Sequence, residues 1–335
     1  MSLTDDVTDL LWRTRKVYPE AARHWARLDE PLRIAVTGPP KAGKRTLRVA
    51  LADIHLVTGE PDAVIHLFRC GHYRRTVREQ PAVLVLARAD EITGGRLDAM
   101  TSARQVARVY PETVIPVAAL LASTANTMRE ADFATLTALA GMPRVEVDAR
   151  LMSADRVADH GLVERFGMFG LRLAVTLLRQ GFDTPEKLAG ELSRRSGIDD
   201  LREQIRIQFQ SRTRLLKARS ALNALEHLGP LRAEVERLRA GAHEFAEIRV
   251  LDSLREGRIA MPAELAAQAQ RLLGGHGAAV TSRLGLGDAA DPRQAALAAL
   301  VRWRRLAENP LSNRQCVAAA RVVVRTCEGL LTEIA

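Results

Sequence analysis

Lys41 and Lys44 stand three residues apart in the stretch Arg33 to Leu47, RIAVTGPPKAGKRTL, in a chain where lysine is scarce. Of 49 lysine and arginine residues only five are lysine (Lys16, Lys41, Lys44, Lys187 and Lys217), so two of the five fall in this one segment. Gly38 opens a Gly-x-x-x-x-Gly-Lys run that closes on Gly43 and Lys44. That spacing suits a phosphate. Glycines let the backbone wrap the anion with its N–H groups turned inward, and the lysine reaches the β/γ oxygens. The predicted nucleotide-binding residues on this loop are Gly38, Lys41, Ala42, Gly43, Lys44, Arg45 and Thr46. One position departs from the pattern. A P-loop carries Ser or Thr directly after the lysine as a Mg²⁺ ligand, whereas here Arg45 stands there and Thr46 follows one residue late. A guanidinium does not ligate a cation, but it can neutralise phosphate charge in the metal's place. A glycine turn before a helix, with no ligand at all, is the competing reading.

The loop needs a strand before it and a helix after it. Arg33 to Thr37 has strand character and Thr46 to Ala52 helical character. Three further apolar runs, Pro61 to Phe68, Pro81 to Asp90 and Glu112 to Leu120, read as strands of a parallel sheet buried on both faces, with crossovers between them. Ahead of the loop, Val7, Leu10, Leu11, Val17, Ala21, Trp25 and Leu28 recur at helical spacing, which predicts one amphipathic helix over 4–29, weakened or kinked at Pro19 and ended by Pro31. From Glu130 onward strand signals fade. Helices are predicted at 130–140, 151–160, 161–180, 185–195, 199–227, 230–256, 262–274, 292–307 and 312–333, with Thr184 and Pro185 as a capped start and the glycine-rich Leu272 to Pro292 as a loop.

The 335 residues, 47% hydrophobic, suffice for a sizeable core and two or so domains. No run of 18 apolar residues lacks a charge, and the acidic start MSLTDD is unlike a secretory leader, so the expectation is a soluble cytoplasmic protein. Cys70, Cys316 and Cys327 lack paired metal-type spacing and read as reduced thiols. A net charge of +9 favours an anionic partner, nucleic acid or an acidic membrane surface. The densest basic stretch is Ile205 to Leu222, with Arg206, Arg212, Arg214, Lys217 and Arg219 and no acidic residue. A solvated helix face explains such a run as well. The dominance of arginine over lysine also follows from GC-rich coding.

PKAGKRTL after a strand, VLARADEITGGRLDAM on a later strand and loop, VIPVAALLA on the next, and a helical tail opening with SGIDDLREQI together resemble the bacterial dynamin-like GTPases, particularly those of actinobacteria. The resemblance spans nearly the whole chain. It implies that an Asn/Thr-Lys-x-Asp motif reads guanine, and the matching positions are Ala87, Arg88, Ala89 and Asp90. Arg88 can cover a ring with its stem and Asp90 can accept from guanine, whereas Ala87 lacks the amide that ties the loop. An aspartate ending a strand equally serves as a helix cap. Val114 to Ala119 lies where the family has its last base-contacting loop. The switch threonine and the Asp-x-x-Gly that hold Mg²⁺ are missing, because only fifteen residues separate Thr46 from Asp62.

The sheet tolerates that deletion, since the lost strands occupy one edge of the order 2-3-1-4-5-6 and leave 1-4-5-6 contiguous. Two routes out of strand 1 are then open. A direct right-handed crossover puts the P-loop helix on the face of the later helices, and a rerouted return through Asp53 to Glu60 keeps it where the family has it.

The expected fold is therefore α/β, a reduced P-loop G-domain-like parallel sheet of about four strands plus a large helical bundle. The expected domains are an N-terminal helix (1–30) packing on the bundle, a degenerate G domain with a helical insertion (31–197) and a helical stalk (198–335). The expected function is a dynamin-like pseudo-GTPase that holds GTP or GDP weakly, lacks a firm place for Mg²⁺, and hydrolyses slowly or not at all. Its expected partner is another dynamin-like GTPase or a second copy of itself, with peripheral contact at the inner face of the membrane and no bilayer-inserting tip. The rivals are an active P-loop NTPase in which Thr46 supplies the missing hydroxyl, and a nucleotide-free scaffold or nucleic-acid-binding helical protein.

Overall fold

A computed structural model of the chain describes residues 3–73, 80–110, 112–255, 257–286 and 291–334. In chain order the elements are α1 (Leu3–Thr14), α2 (Pro19–Ala26), β1 (Ile34–Thr37), α3 (Lys44–Ala50), β2 (Leu56–Val57), β3 (Ala63–Phe68), β4 (Ala82–Ala87), α4 (Ala99–Ala107), β5 (Val114–Val117) and α5 (Ala119–Asn126). Helices follow: α6 (Glu130–Gly141), α7 (Arg144–Arg150), α8 (His160–Arg179), α9 (Pro185–Arg195), α10 (Ile198–Gln208), α11 (Thr213–Glu226), α12 (Arg232–Gly241) and α13 (His243–Arg255). The last are α14 (Ala263–Leu272), α15 (Val280–Leu284), α16 (Pro292–Glu308) and α17 (Arg314–Ile334). The chain divides into two compact units, Arg33–Gln204 and the pair of segments Met1–Leu32 with Ile205–Ala335.

The first unit holds the sheet. All five strands run parallel in the order β2-β1-β3-β4-β5. β3, β4 and β5 are buried almost throughout, as strands covered on both faces must be. On one face Phe68, Leu84, Leu86 and Val114 pack with Met100, Ala103 and Ala107 of α4 and with the apolar sides of α8 and α9. The sheet has one strand more than the four expected. β2 escapes a pattern reading because two residues are too few to show a period. It lies outside β1 with Ile34 opposite Leu56, so the chain leaves β1 through α3, returns at the outer edge, and passes beneath β1 to start β3. Arg33 O accepts from Asp62 N on that passage, and the Asp62 carboxylate accepts from Arg33 N. The rerouted return is the path taken, and α3 packs against α5, the helix that follows the last strand.

The opposite edge is β5, where Pro116 has no N–H to offer a further strand. There Ala118 N donates to Ser196 O at 2.9 Å. Gly197 follows with φ +78°, and a side chain on it would drive into the Pro116 carbonyl. The third run is a strand only over Val114–Val117; its remainder begins α5.

The second unit is helical. The amphipathic helix expected over 4–29 is two helices. Pro19 takes the N1 position of α2, where its missing N–H costs nothing and its fixed φ starts a helix rather than bending one. Val7, Leu10, Leu11 and Ala21 pack with Leu222, Leu225 and Val235. α16 and α17 form an antiparallel pair around Trp303, Val323 and Cys327. The expected helix at 151–160 is a short 3-10 turn flanked by α7 and α8, because Pro143 starts α7 earlier and the Asp159 carboxylate caps α8 by accepting from Leu162 N. The predicted loop at 272–292 contains α15, and its residues 287–290 lie outside the described residues, as does residue 256 at the end of the predicted 230–256 helix. Among the described residues no helix is long and apolar enough to cross a membrane.

Candidate functional site

The Gly-x-x-x-x-Gly-Lys loop connects β1 to α3 at the carboxyl edge of the parallel sheet, the edge where open α/β sheets bind ligands. Its backbone is fixed in conformations that side chains rarely adopt. Gly38 has φ +135°, Lys41 +61° and Gly43 +87°. These angles have different causes. A Cβ on Gly38 would strike the carbonyl oxygen of Leu67 on β3, whereas one on Gly43, the residue capping α3, would meet nothing. Gly38 is therefore a packing requirement and Gly43 a conformational one. Ala42 is fully buried beneath the loop.

Lys44 lies folded over its own loop, with Nζ donating to the carbonyl oxygens of Gly38 at 2.6 Å and Pro39 at 3.1 Å. The ammonium thus sits inside the turn a phosphate would occupy or border, held by acceptors it can exchange for anionic oxygens. Arg45 is exposed and Thr46 half-buried. Thr37 at the end of β1 is hydrogen-bonded to His66 Nδ1 of β3 at 3.0 Å, which fixes the two strand ends from which the loop springs. At the far end of α3 the carbonyl of Ala50 accepts from Asn126 Nδ2 at 3.2 Å and from Arg202 Nη2 at 3.1 Å, placing a cation at the helix C-terminus. His66 and Arg202 are positioning residues the sequence reading did not single out. His66 sits in an apolar run, and the Arg202 bond spans 152 residues.

Arg88 and Asp90 follow β4 at the same carboxyl edge. β3 lies between β1 and β4, so the two loops are separated by about 10 Å, twice the strand spacing. The Gly38–Thr46 loop and the Arg88–Asp90 segment thus share one edge of the sheet with one strand between them. Their local environments differ. Arg88 has φ +54° and turns its guanidinium onto Glu91, whose other oxygen faces Arg69 of the β3 loop. Asp90, in a 3-10 turn over Ala89–Glu91, is only 9% exposed. What covers it is α8. Gly167 breaks the helical conformation of α8 (φ 65°, ψ 169°), and a side chain there would meet Leu120 Cδ2 at 3.4 Å and the Asp90 carboxylate at 3.9 Å. Burial pushes the Asp90 carboxyl up to about 6, opposed by its own backbone N–H, assisted by the neighbouring Glu91 charge and opposed weakly by Arg88. Among the described residues no lysine or arginine forms an ion pair with Asp90, and Arg88 acts on it only from a distance.

No protein-family model matches the chain, and no solved structure matches it. The chain is 38% identical over 282 residues to Isoniazid-induced protein IniC of Mycobacterium tuberculosis, with the same figures for strain CDC 1551 / Oshkosh and strain ATCC 25618 / H37Rv. The alignment covers 74% of this chain and 57% of IniC, so the chain spans little more than half the length of the curated relatives it matches. Identity at that level over that length establishes homology to IniC.

Proposed function

We propose that the chain is a dynamin-like pseudo-GTPase, which holds a guanine nucleotide loosely, turns it over slowly or not at all, and acts as a regulatory or structural partner of another dynamin-like GTPase or of its own copies. The homology to IniC supports a dynamin-like protein. The observation that carries the finer reading is the segment between α3 and β3. It is a turn and a two-residue strand, too short for the two switch segments of a G domain: its one threonine, Thr58, directly follows the edge strand β2, and no Asp-x-x-Gly occurs in it to hold a metal against the γ-phosphate. Arg45 stands where the metal-ligating hydroxyl would be. Lys44 and the backbone of Gly38 to Thr46 bind phosphate, Arg45 replaces part of the Mg²⁺ charge, and Asp90 selects guanine. Phosphoryl transfer depends on positioning and electrostatics, so losing the metal-holding groups costs several powers of ten in rate. The place of action is cytoplasmic, peripheral at the inner face of the membrane.

Calorimetric titration of GTP, GDP and ATP, with and without Mg²⁺, beside Lys44→Ala, tests this. Guanine-nucleotide binding that persists without Mg²⁺ and disappears in Lys44→Ala is the expected result. Metal-dependent turnover abolished by Lys44→Ala would instead establish an active NTPase. A second reading, a nucleotide-free scaffold, draws on the burial of Asp90 beneath Gly167. Absence of binding by any nucleotide would favour it.

A further inference from the structure

The helical unit contains a cavity of about 740 Å³ between the loop after α2, the start of α11 and the turn joining α14 to α15. Three cations line its inner part: Arg212 before α11, Lys217 on α11 and Arg283 of α15. Of the three carboxylate residues that line the cavity, Asp29 and Glu30 are exposed and Glu247 of α13 is half-buried beside the cations. That carboxylate is already committed. Its Oε1 accepts from Arg283 Nη2 at 2.6 Å and from Thr326 Oγ1 at 2.6 Å. Lys217 is 7% exposed and, among the described residues, donates to carbonyl oxygens alone, those of Leu28 and Glu30. Arg212 uses Nη2 to reach Leu273 O at 2.8 Å, and among the described residues its guanidinium has no carboxylate within ion-pair distance. Behind it stand Arg255, bound to Gln208 and the Gly275 carbonyl, and Arg219, which faces Asp252.

The cluster therefore carries more buried positive charge than its carboxylates neutralise. Among the described residues Arg212, Lys217, Arg255 and Arg283 are set against Glu247 and Asp252. Burial, together with the neighbouring Arg255 and Arg283, presses the Arg212 guanidinium down to about 10, against the opposing pull of Glu247 and Asp252. A surplus of buried cations is costly unless an anion completes it. The site also has a shaped floor. Gly274 has φ +76°, and a Cβ there would lie 2.6 Å from Arg212 Nη2, so the guanidinium lies directly against the turn backbone. Asp29, Glu30 and Arg214 are exposed at the rim, where solvent screens them. Two planar guanidinium forks and an ammonium surrounding one hollow match a tetrahedral oxyanion, which accepts from several directions at once.

We propose that this cavity binds a phosphate-bearing anion, with Arg212, Lys217 and Arg283 as its ligands, at a site separate from the P-loop. Two sources share that chemistry, a free polyphosphate and the headgroup of an anionic phospholipid. Pyrophosphate serves as the soluble probe, titrated into the full chain carrying Lys44→Ala so that the P-loop lysine contributes nothing. Saturable binding is expected, weakened by salt and by about tenfold or more in Arg212→Gln, the loss of one charge-assisted set of hydrogen bonds. Arg214→Glu, at the exposed rim and without structural cost, is expected to weaken binding about threefold through charge alone. It keeps the test open should Arg212→Gln fold poorly. Vesicles of phosphatidylcholine with phosphatidic acid, compared with phosphatidylcholine alone, separate the sources. Capture that pyrophosphate displaces assigns the site to a lipid headgroup, and pyrophosphate binding without vesicle capture assigns it to a soluble phosphate. No pyrophosphate binding at millimolar concentration, or binding unchanged in both Arg212→Gln and Arg214→Glu, overturns the proposal.

Discussion

Gly38→Ala is expected to destabilise the protein by about 2–6 kcal/mol, whether or not any nucleotide binds. Two costs add. The φ of +135° lies in a region that L-residues occupy only under strain, about 1–3 kcal/mol. The new Cβ also enters the Leu67 carbonyl, and because Leu67 belongs to a strand paired on both sides, relief requires moving backbone, another 1–3 kcal/mol or more. For a unit of this size, at about 2–4 °C per kcal/mol, the melting temperature should fall by about 4–24 °C. Gly43→Ala is the control, since it shares the positive φ and has open space around it. It should cost about 1–2 kcal/mol, the conformational part alone. Thermal melts of the two variants decide the matter. Equal losses would show that the first glycine of the loop has no packing role and that its φ alone fixes it.

Asp90→Asn should stabilise the nucleotide-free protein at neutral pH. The folded carboxyl titrates near 6 against an ordinary 3.8, so the folded state holds its proton more tightly than the unfolded state. Stability from this group is then greatest below about pH 4 and falls as pH rises to about 6, where the full cost of the buried charge, about 3 kcal/mol as an upper figure, has been incurred. Asparagine has the shape without the charge. The variant should exceed the parent by about 1–3 kcal/mol at pH 7 and converge with it below pH 4, in urea melts at the two pH values. A pH-independent difference, or a loss at pH 7, would mean that the carboxylate is already compensated in the folded protein. If Asp90 reads guanine, the same variant should lose the preference for GTP over ATP, so one substitution separates the cost of the site from its use.

The strands were legible because Pro61 to Phe68 and Pro81 to Asp90 are continuous apolar runs, a pattern only a sheet covered on both faces requires. Leu56–Val57 was not, because its strand character comes from Ile34 and Ala35 beside it and not from its own residues. Pro19 starts a helix where the apolar periodicity implies a kink, since a proline inside such a periodicity and a proline at the first position of a new helix look alike until the preceding turn is known. The loop residues Gly38 to Thr46 stand out by their spacing and Arg88 and Asp90 only by the family resemblance, and the parallel order puts both segments at one sheet edge. The cover over Asp90 was invisible. It comes from Gly167, 77 residues later in the chain, and only the fold brings the break in α8 against the carboxylate. The cation-lined hollow was hidden for the same reason. Arg212 and Lys217 read as one face of a basic run, while Arg283 and Glu247 join them from separate helices.

The two ends of the sheet have a consequence for how copies of this chain can associate. β2 presents a template two residues wide, and β5 presents Pro116 in place of a donor, with the next N–H taken by Ser196. Neither border can seed a growing ladder of strands between molecules. Stacking through backbone pairing, the route by which open sheets polymerise, is closed at both borders by a missing hydrogen and a missing length. Among the described residues, contacts between copies at these two borders would have to come from side chains, where sequence rather than the common backbone decides who joins.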